Sequence, residues 1–183
     1  MLESDIISHC APALAGIKTA NMFSCKLTDR KLLDKEIRQT NMLLNPKGVF
    51  VELLKAGDSR ALIYVYRKKQ LERDLKRNGT MLLLHSCGYA SCETGECIGH
   101  LKTRFGQSEG FPHEVGLFLG YPLEDVTGFI REKGKNYKYA GIWKVYGDEE
   151  KMKRTFRRLK KCTAVYSRLF ADGKTMTQLT VAA

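Results

Sequence analysis

"GVFVELLKAGDSRALIYVYR", residues 48–67, is the stretch whose reading decides the fold. Two runs rich in β-branched and aromatic residues flank "AGDS", whose Gly, Asp and Ser are turn residues, and that pattern reads as a β-hairpin. A sheet built on it is antiparallel. Upstream, Thr28 and Asp29 cap a helix whose apolar positions Leu32, Leu33, Ile37 and Leu44 recur at near-helical spacing until Pro46 and Gly48 end it. Downstream, "KKQLERDLKRNG" (68–79) reads as an exposed helix, and "TMLLLHSCGY" (80–89) fits either a helix or a strand.

The second half continues the alternation. In "FPHEVGLFLGYPLEDVTGFIREKG" (111–134), Pro112 suits the first turn of a helix and Gly120 its end. Pro122, Glu124 and Asp125 open a second helix running to about Glu132, which predicts a helical hairpin. "YAGIWKVYG" (139–147) alternates as a strand. Asp148, Glu149 and Glu150 then open a long terminal helix with Met152, Phe156, Leu159, Thr163 and Tyr166 on one face. The expectation is a single α+β domain over residues 1–183: a small, mainly antiparallel sheet covered by helices, with a central helical hairpin and a long C-terminal helix.

Composition narrows the function classes. No run approaches the roughly 20 apolar residues of a membrane-spanning helix, and Glu3 and Asp5 stand where an export signal carries basic residues, so the expected setting is cytoplasmic, off the membrane, with reduced thiols. The net charge of +11 attracts polyanions, whether nucleic acid, an acidic partner protein or an anionic small molecule. No Walker-type loop or Gly-x-Gly-x-x-Gly fingerprint supports a nucleotide cofactor.

Three candidate sites follow. In "SHCAPALAGIK" (8–18), Cys10 just before Pro12 sits where a short helix would start, a position that favours the thiolate, with His9 beside it. In "FPHEVG", His113 and Glu114 fall in the first turn of the expected helix, where the dipole favours a neutral imidazole and an ionised carboxylate. Cys10 with His113, and Glu114 as an orienting group, would form a thiol-centred site for redox or acyl-transfer chemistry. A buried structural thiol and a plain helix cap are the alternatives.

The second candidate is the run "HSCGYASCETGECIGH" (85–100). His85, Cys87, Cys92, Cys97 and His100 are potential ligands for zinc or an iron cluster. The spacing opposes it: no Cys-x-x-Cys unit occurs, and on a helix each five-residue step turns the sulfur by about 140°, so only a loop could gather them.

The third candidate is cationic. Lys151, Lys153, Arg154, Arg157, Arg158, Lys160 and Lys161 follow the terminal helix away from its apolar positions, and Arg67, Lys68, Lys69, Arg73, Lys76 and Arg77 form a second cluster. Either could track a phosphate backbone, or simply face water.

"HCAPALAGIK", "FPHEVGLFLGYPLEDVTGF", "WKVYGDEEK" and the late Cys162 together resemble a bacterial family known as domain of unknown function 3793, found mainly in anaerobic Firmicutes. The likeness spans nearly the whole chain and implies no activity, substrate or cofactor. It directs attention to Cys10, Lys18, His113, Glu114, Tyr121, Trp143, Lys144 and Tyr146, with Lys18, Tyr121 and Lys144 as anion contacts. The cysteine run is a departure from the family's usual pattern.

Overall fold

A computed structural model describes residues 2–91, 93–107 and 110–182. In chain order its elements are α1 (Leu2–Leu14), β1 (Ala20–Lys26), α2 (Arg30–Leu44), β2 (Val49–Ala56), β3 (Arg60–Arg67), α3 (Lys68–Leu75), α4 (Asn78–Ser86), α5 (Thr94–Gly106), α6 (Val115–Phe118), α7 (Leu123–Arg131), β4 (Tyr139–Ala140), β5 (Lys144–Val145), α8 (Glu149–Ala171) and α9 (Met176–Leu179). The fold is α+β, mostly helical, with a small antiparallel sheet. It divides into two compact units, residues 1–70 with 161–183, and residues 71–160.

The expected hairpin is the heart of the first unit. β2 and β3 pair antiparallel from Val49↔Arg67 to Ala56↔Ala61, and the turn closes with the Gly57 amide donating to the Arg60 carbonyl at 2.9 Å. β1, which no expectation from the sequence covers, pairs with the other edge of β3, giving the order β1-β3-β2. β3 is therefore central, and Ile63 to Arg67 are all buried, as a strand covered on both faces requires. Asp29 caps α2 as expected, accepting from the amides of Lys31 and Leu32, and Gly48 ends that segment at φ 76°. Asn41 of α2 then pairs with the backbone of β2: its Nδ2 donates to the Val51 carbonyl and its Oδ1 accepts the Val51 amide, both at 2.8 Å. A side-chain amide thus satisfies an edge strand as a further strand would.

The C-terminus returns to this unit. A capping box of Thr175 and Gln178 starts α9, the Met176 amide donates to Glu3, and the Val181 amide donates to the Leu14 carbonyl at 3.0 Å. Arg67 ties the arrangement together. Only 2% exposed, its guanidinium donates to the carbonyls of Ala13, Leu14 and Val181. The reading of Arg67 as part of a phosphate-tracking cluster is corrected by this: its donors are used at the end of α1, where carbonyls are left without helical partners.

In the second unit the central helical hairpin is lopsided. Its first arm, α6, is a single turn starting at Val115, so Pro112, His113 and Glu114 lie in the turn before it. Glycines explain the shortness. Gly120 at φ 77° reverses the chain, and the Tyr121 amide closes onto the Gly116 carbonyl at 3.0 Å. "YAGIWKVYG" is likewise a two-by-two-residue hairpin rather than one strand, with Gly141 to Trp143 as its turn. Asp125 of α7 holds it in place. Fully buried, its Oδ1 accepts the amides of Tyr146 and Gly147 at 2.8 and 2.9 Å. Gly128 permits this approach, since a Cβ there would stand 2.4 Å from the Tyr146 ring.

Candidate functional site

Cys10 does not open a short helix. It lies in the third turn of α1, a helix that continues through Pro12 because the carbonyl deprived of a partner is that of exposed Ser8. The thiol is 0% exposed within the core formed by Ile6, Ile7, Leu14 and the sheet. Burial pushes its pKa up, opposite to the activation expected of a helix-start cysteine, and the charge of Lys18 offsets this only in part. His9, next in sequence, is exposed and stacks on Phe23 at 5.2 Å. Lys18 is half-buried with its ammonium on the Ala20 carbonyl, and desolvation lowers its pKa to about 7. Cys10 and Lys18 belong to the first unit and His113 to the second.

Glu114 stands at the N-cap position of α6 but its side chain makes no capping bond, and instead it is the centre of a buried polar knot. Only 2% exposed, its Oε1 accepts from Arg104 Nε at 2.9 Å and from the Tyr89 hydroxyl at 3.2 Å. The pair raises the pKa of Arg104, while burial and the Glu114 charge raise that of Tyr89. Described residues of the cysteine run lie near this knot, with Tyr89 itself part of it. Cys87 ends α4, where burial and then Glu114 push its thiol up. Cys97, buried on α5, lies 3.1 Å from the Ser91 carbonyl, and the His100 ring packs on Tyr89 at 4.3 Å. His85 Nδ1 is 2.8 Å from the Tyr89 carbonyl oxygen.

Among the described residues no three His, Cys, Asp or Glu side chains converge as a metal would need, and all five described cysteines are free thiols. Cys92 lies outside the described residues. The zinc or iron-cluster reading has no support among the described residues: Cys87 lies in the turn after α4, Cys97 lies on α5, and the two are turned to different neighbours.

His113, Lys144 and Tyr121 enter an aromatic assembly. His113 packs on Phe129 at 4.8 Å and on Phe111 at 5.9 Å; Phe129 continues to Trp143 at 5.6 Å, which stacks on Tyr121 at 4.7 Å. Burial raises the pKa of Tyr121. Lys144 donates to the Gly134 carbonyl at 2.7 Å and lies over the rings of Tyr137 and Phe129, so its ammonium pins the loop after α7.

The cations behave differently. On α8, Met152, Phe156 and Leu159 are buried, whereas Lys151, Arg154, Arg157, Arg158, Lys160 and Lys161 are exposed. Lys153 pairs with Glu149 and Glu150, but among the described residues no carboxylate forms an ion pair with Lys151, Arg154, Arg157, Arg158 or Lys160.

A family model described as "Protein of unknown function (DUF3793)" matches residues 6–180. The chain belongs to that family. No curated protein and no solved structure matches it significantly. In this DUF3793 chain, several of the motif residues prove to be architecture. Gly116 lets Trp143 and Val126 approach, Gly128 receives the Tyr146 ring, and Asp125 caps the strand leading to it. Sequence reading missed Arg104 and Tyr89 and gave Asp125 and Arg67 other roles, because their partners lie 10 to 114 positions away and leave no local trace. No described helix is long and apolar enough to cross a membrane.

Proposed function

We propose that this protein binds nucleic acid without catalysis, through the outer face of α8. The observation that carries the reading is the row of exposed, unpaired cations Lys151, Arg154, Arg157, Arg158 and Lys160, set opposite the buried Met152, Phe156 and Leu159. On a helix rising 1.5 Å per residue these five span about 14 Å, within which duplex DNA presents about eight phosphates over both strands. A face kept free of carboxylates is what counterion release from a polyanion exploits. The net charge of +11 adds long-range attraction. Contacts of this kind are to phosphate, so sequence preference is weak.

Salt dependence tests it. Binding of a labelled oligonucleotide, strongest at about 50 mM salt, falls steeply as salt rises. Changing Lys151, Arg154, Arg157 and Arg158 to Gln flattens the slope of log affinity against log salt by up to about 3.6, from about 0.9 per phosphate contact. Wild-type protein that leaves DNA and RNA unbound at about 50 mM salt rules the proposal out.

A further inference from the structure

Resting on that reading, we infer that the nucleic acid is single-stranded, and that its unpaired bases stack on an aromatic surface formed by Phe111, His113 and Tyr137. Phe111 is 52% exposed and Tyr137 43%, and His113 is exposed between its two aromatic neighbours. Large rings are costly to leave in water, and each of these three is packed from behind. Phe105 backs Phe111 edge-on at 5.4 Å, Phe129 backs His113 at 4.8 Å, and the Lys144 ammonium lies under Tyr137 at 4.8 Å. A platform already fixed loses little side-chain freedom on binding, which favours stacking a flat partner.

The charge around the rings selects the partner. Lys133, Lys135 and Lys138 are exposed on the loop that carries Tyr137, and the Lys144 bond to Gly134 holds that loop against Phe129. The loop leads into Tyr139, which lies 6.3 Å from Phe156 of α8 and under the Lys153 ammonium, so the rings join the same unit's cationic helix through a packed connection. Exposed rings with lysines on the same loop, in the unit that also carries the row of phosphate-reaching cations, suit the binding of unpaired bases and their backbone together. A duplex keeps its bases stacked on each other and offers the rings nothing.

The test uses the full chain with four probes: fluorescein-labelled 12-nucleotide dT, the matching rU strand, a 12-base-pair duplex, and inorganic polyphosphate as a base-free competitor. A single strand, dT or rU, binds more tightly than duplex. Phe111→Ala with Tyr137→Ala lowers single-strand affinity about tenfold or more while polyphosphate competes equally well against both proteins. Phe111→Leu with Tyr137→Leu keeps the apolar volume and loses the rings, so the same drop in a variant with an unchanged urea midpoint assigns it to stacking rather than to folding. Equal affinity for single strand and duplex, or ring variants that bind single strands like the wild type, overturns the inference and leaves the cationic helix standing. Failure of every probe to bind overturns the helix reading as well.

Discussion

Gly116→Ala separates local preference from packing by the sign of its effect. Helix propensity favours Ala over Gly by about 1 kcal/mol in a helix interior, so on local grounds the substitution stabilises α6. Packing opposes it. A Cβ at Gly116 would stand 2.7 Å from Val126 Cγ2 and 2.8 Å from Trp143 Cζ2. Carbon atoms rest at about 3.5 to 4.0 Å, so both neighbours must move by about 0.7 Å or more. Val126 is fully buried, and the half-buried Trp143 stacks on Tyr121 with Phe129 on it, so the shift disturbs packed side chains. Overpacking of this kind costs about 1 to 3 kcal/mol, and after a propensity gain of up to about 1 kcal/mol a net loss of up to about 2 kcal/mol remains. Trp143 is the chain's single tryptophan, so its fluorescence in a urea titration reports on this spot directly. Gly99→Ala is the matched control. Gly99 lies within α5, where an added Cβ would meet nothing within 4 Å, and there the same change stabilises by up to about 1 kcal/mol. Gly116→Ala as stable as wild type or more so, with Trp143 emission unaltered, refutes the packing account.

Two further expectations concern the buried polar groups of the first unit. In native protein treated with iodoacetamide at neutral pH, Cys10 is alkylated more slowly than the half-exposed Cys25, Cys87 and Cys162, because it is sealed in the core and burial pushes its pKa up; mass spectrometry showing Cys10 modified first would restore the thiol-centred site. Lys18 makes stability depend on pH. Its pKa is about 7 when folded and about 10.4 when unfolded, so above pH 7 the unfolded chain holds more protons and stability rises with pH. The rise ends near pH 8.5, where unfolded Cys10 ionises while the folded thiol stays protonated, an effect of opposite sign. Urea midpoints measured between about pH 7 and 8.5 therefore increase for the wild type and stay flat for Lys18→Met; parallel profiles for the two proteins would contradict the buried-ammonium account.

Much of this architecture is legible along the chain because its causes are local. The β2–β3 hairpin, the Asp29 cap, the Gly48 stop and the apolar stripe of α8 each depend on residues within about one or two turns of one another. The exposed cations of α8 belong to the same class, since a helix with one buried face must show the other to water. "FPHEVG" is harder to read. Its His and Glu share an apolar run, yet His113 faces outward among rings while Glu114 turns inward to Arg104 and Tyr89. Adjacent residues in a turn diverge, and no periodicity announces which of them is buried.

By itself the sequence determined an α+β chain with a β-hairpin, a capped amphipathic helix and a cationic C-terminal helix, all consequences of period, capping and charge. Tertiary structure alone decided what the polar side chains are for. Arg67 closes the end of α1 instead of meeting phosphate, Cys10 is sealed in the core, and Lys144 pins a loop. A buried donor, acceptor or charge must find its partner wherever the folded chain supplies one, and the Val181 carbonyl that satisfies Arg67 is 114 residues away. Distance along the chain carries no information about such a pairing; the need to leave no buried polar group without a partner selects it only once the helices and strands have packed.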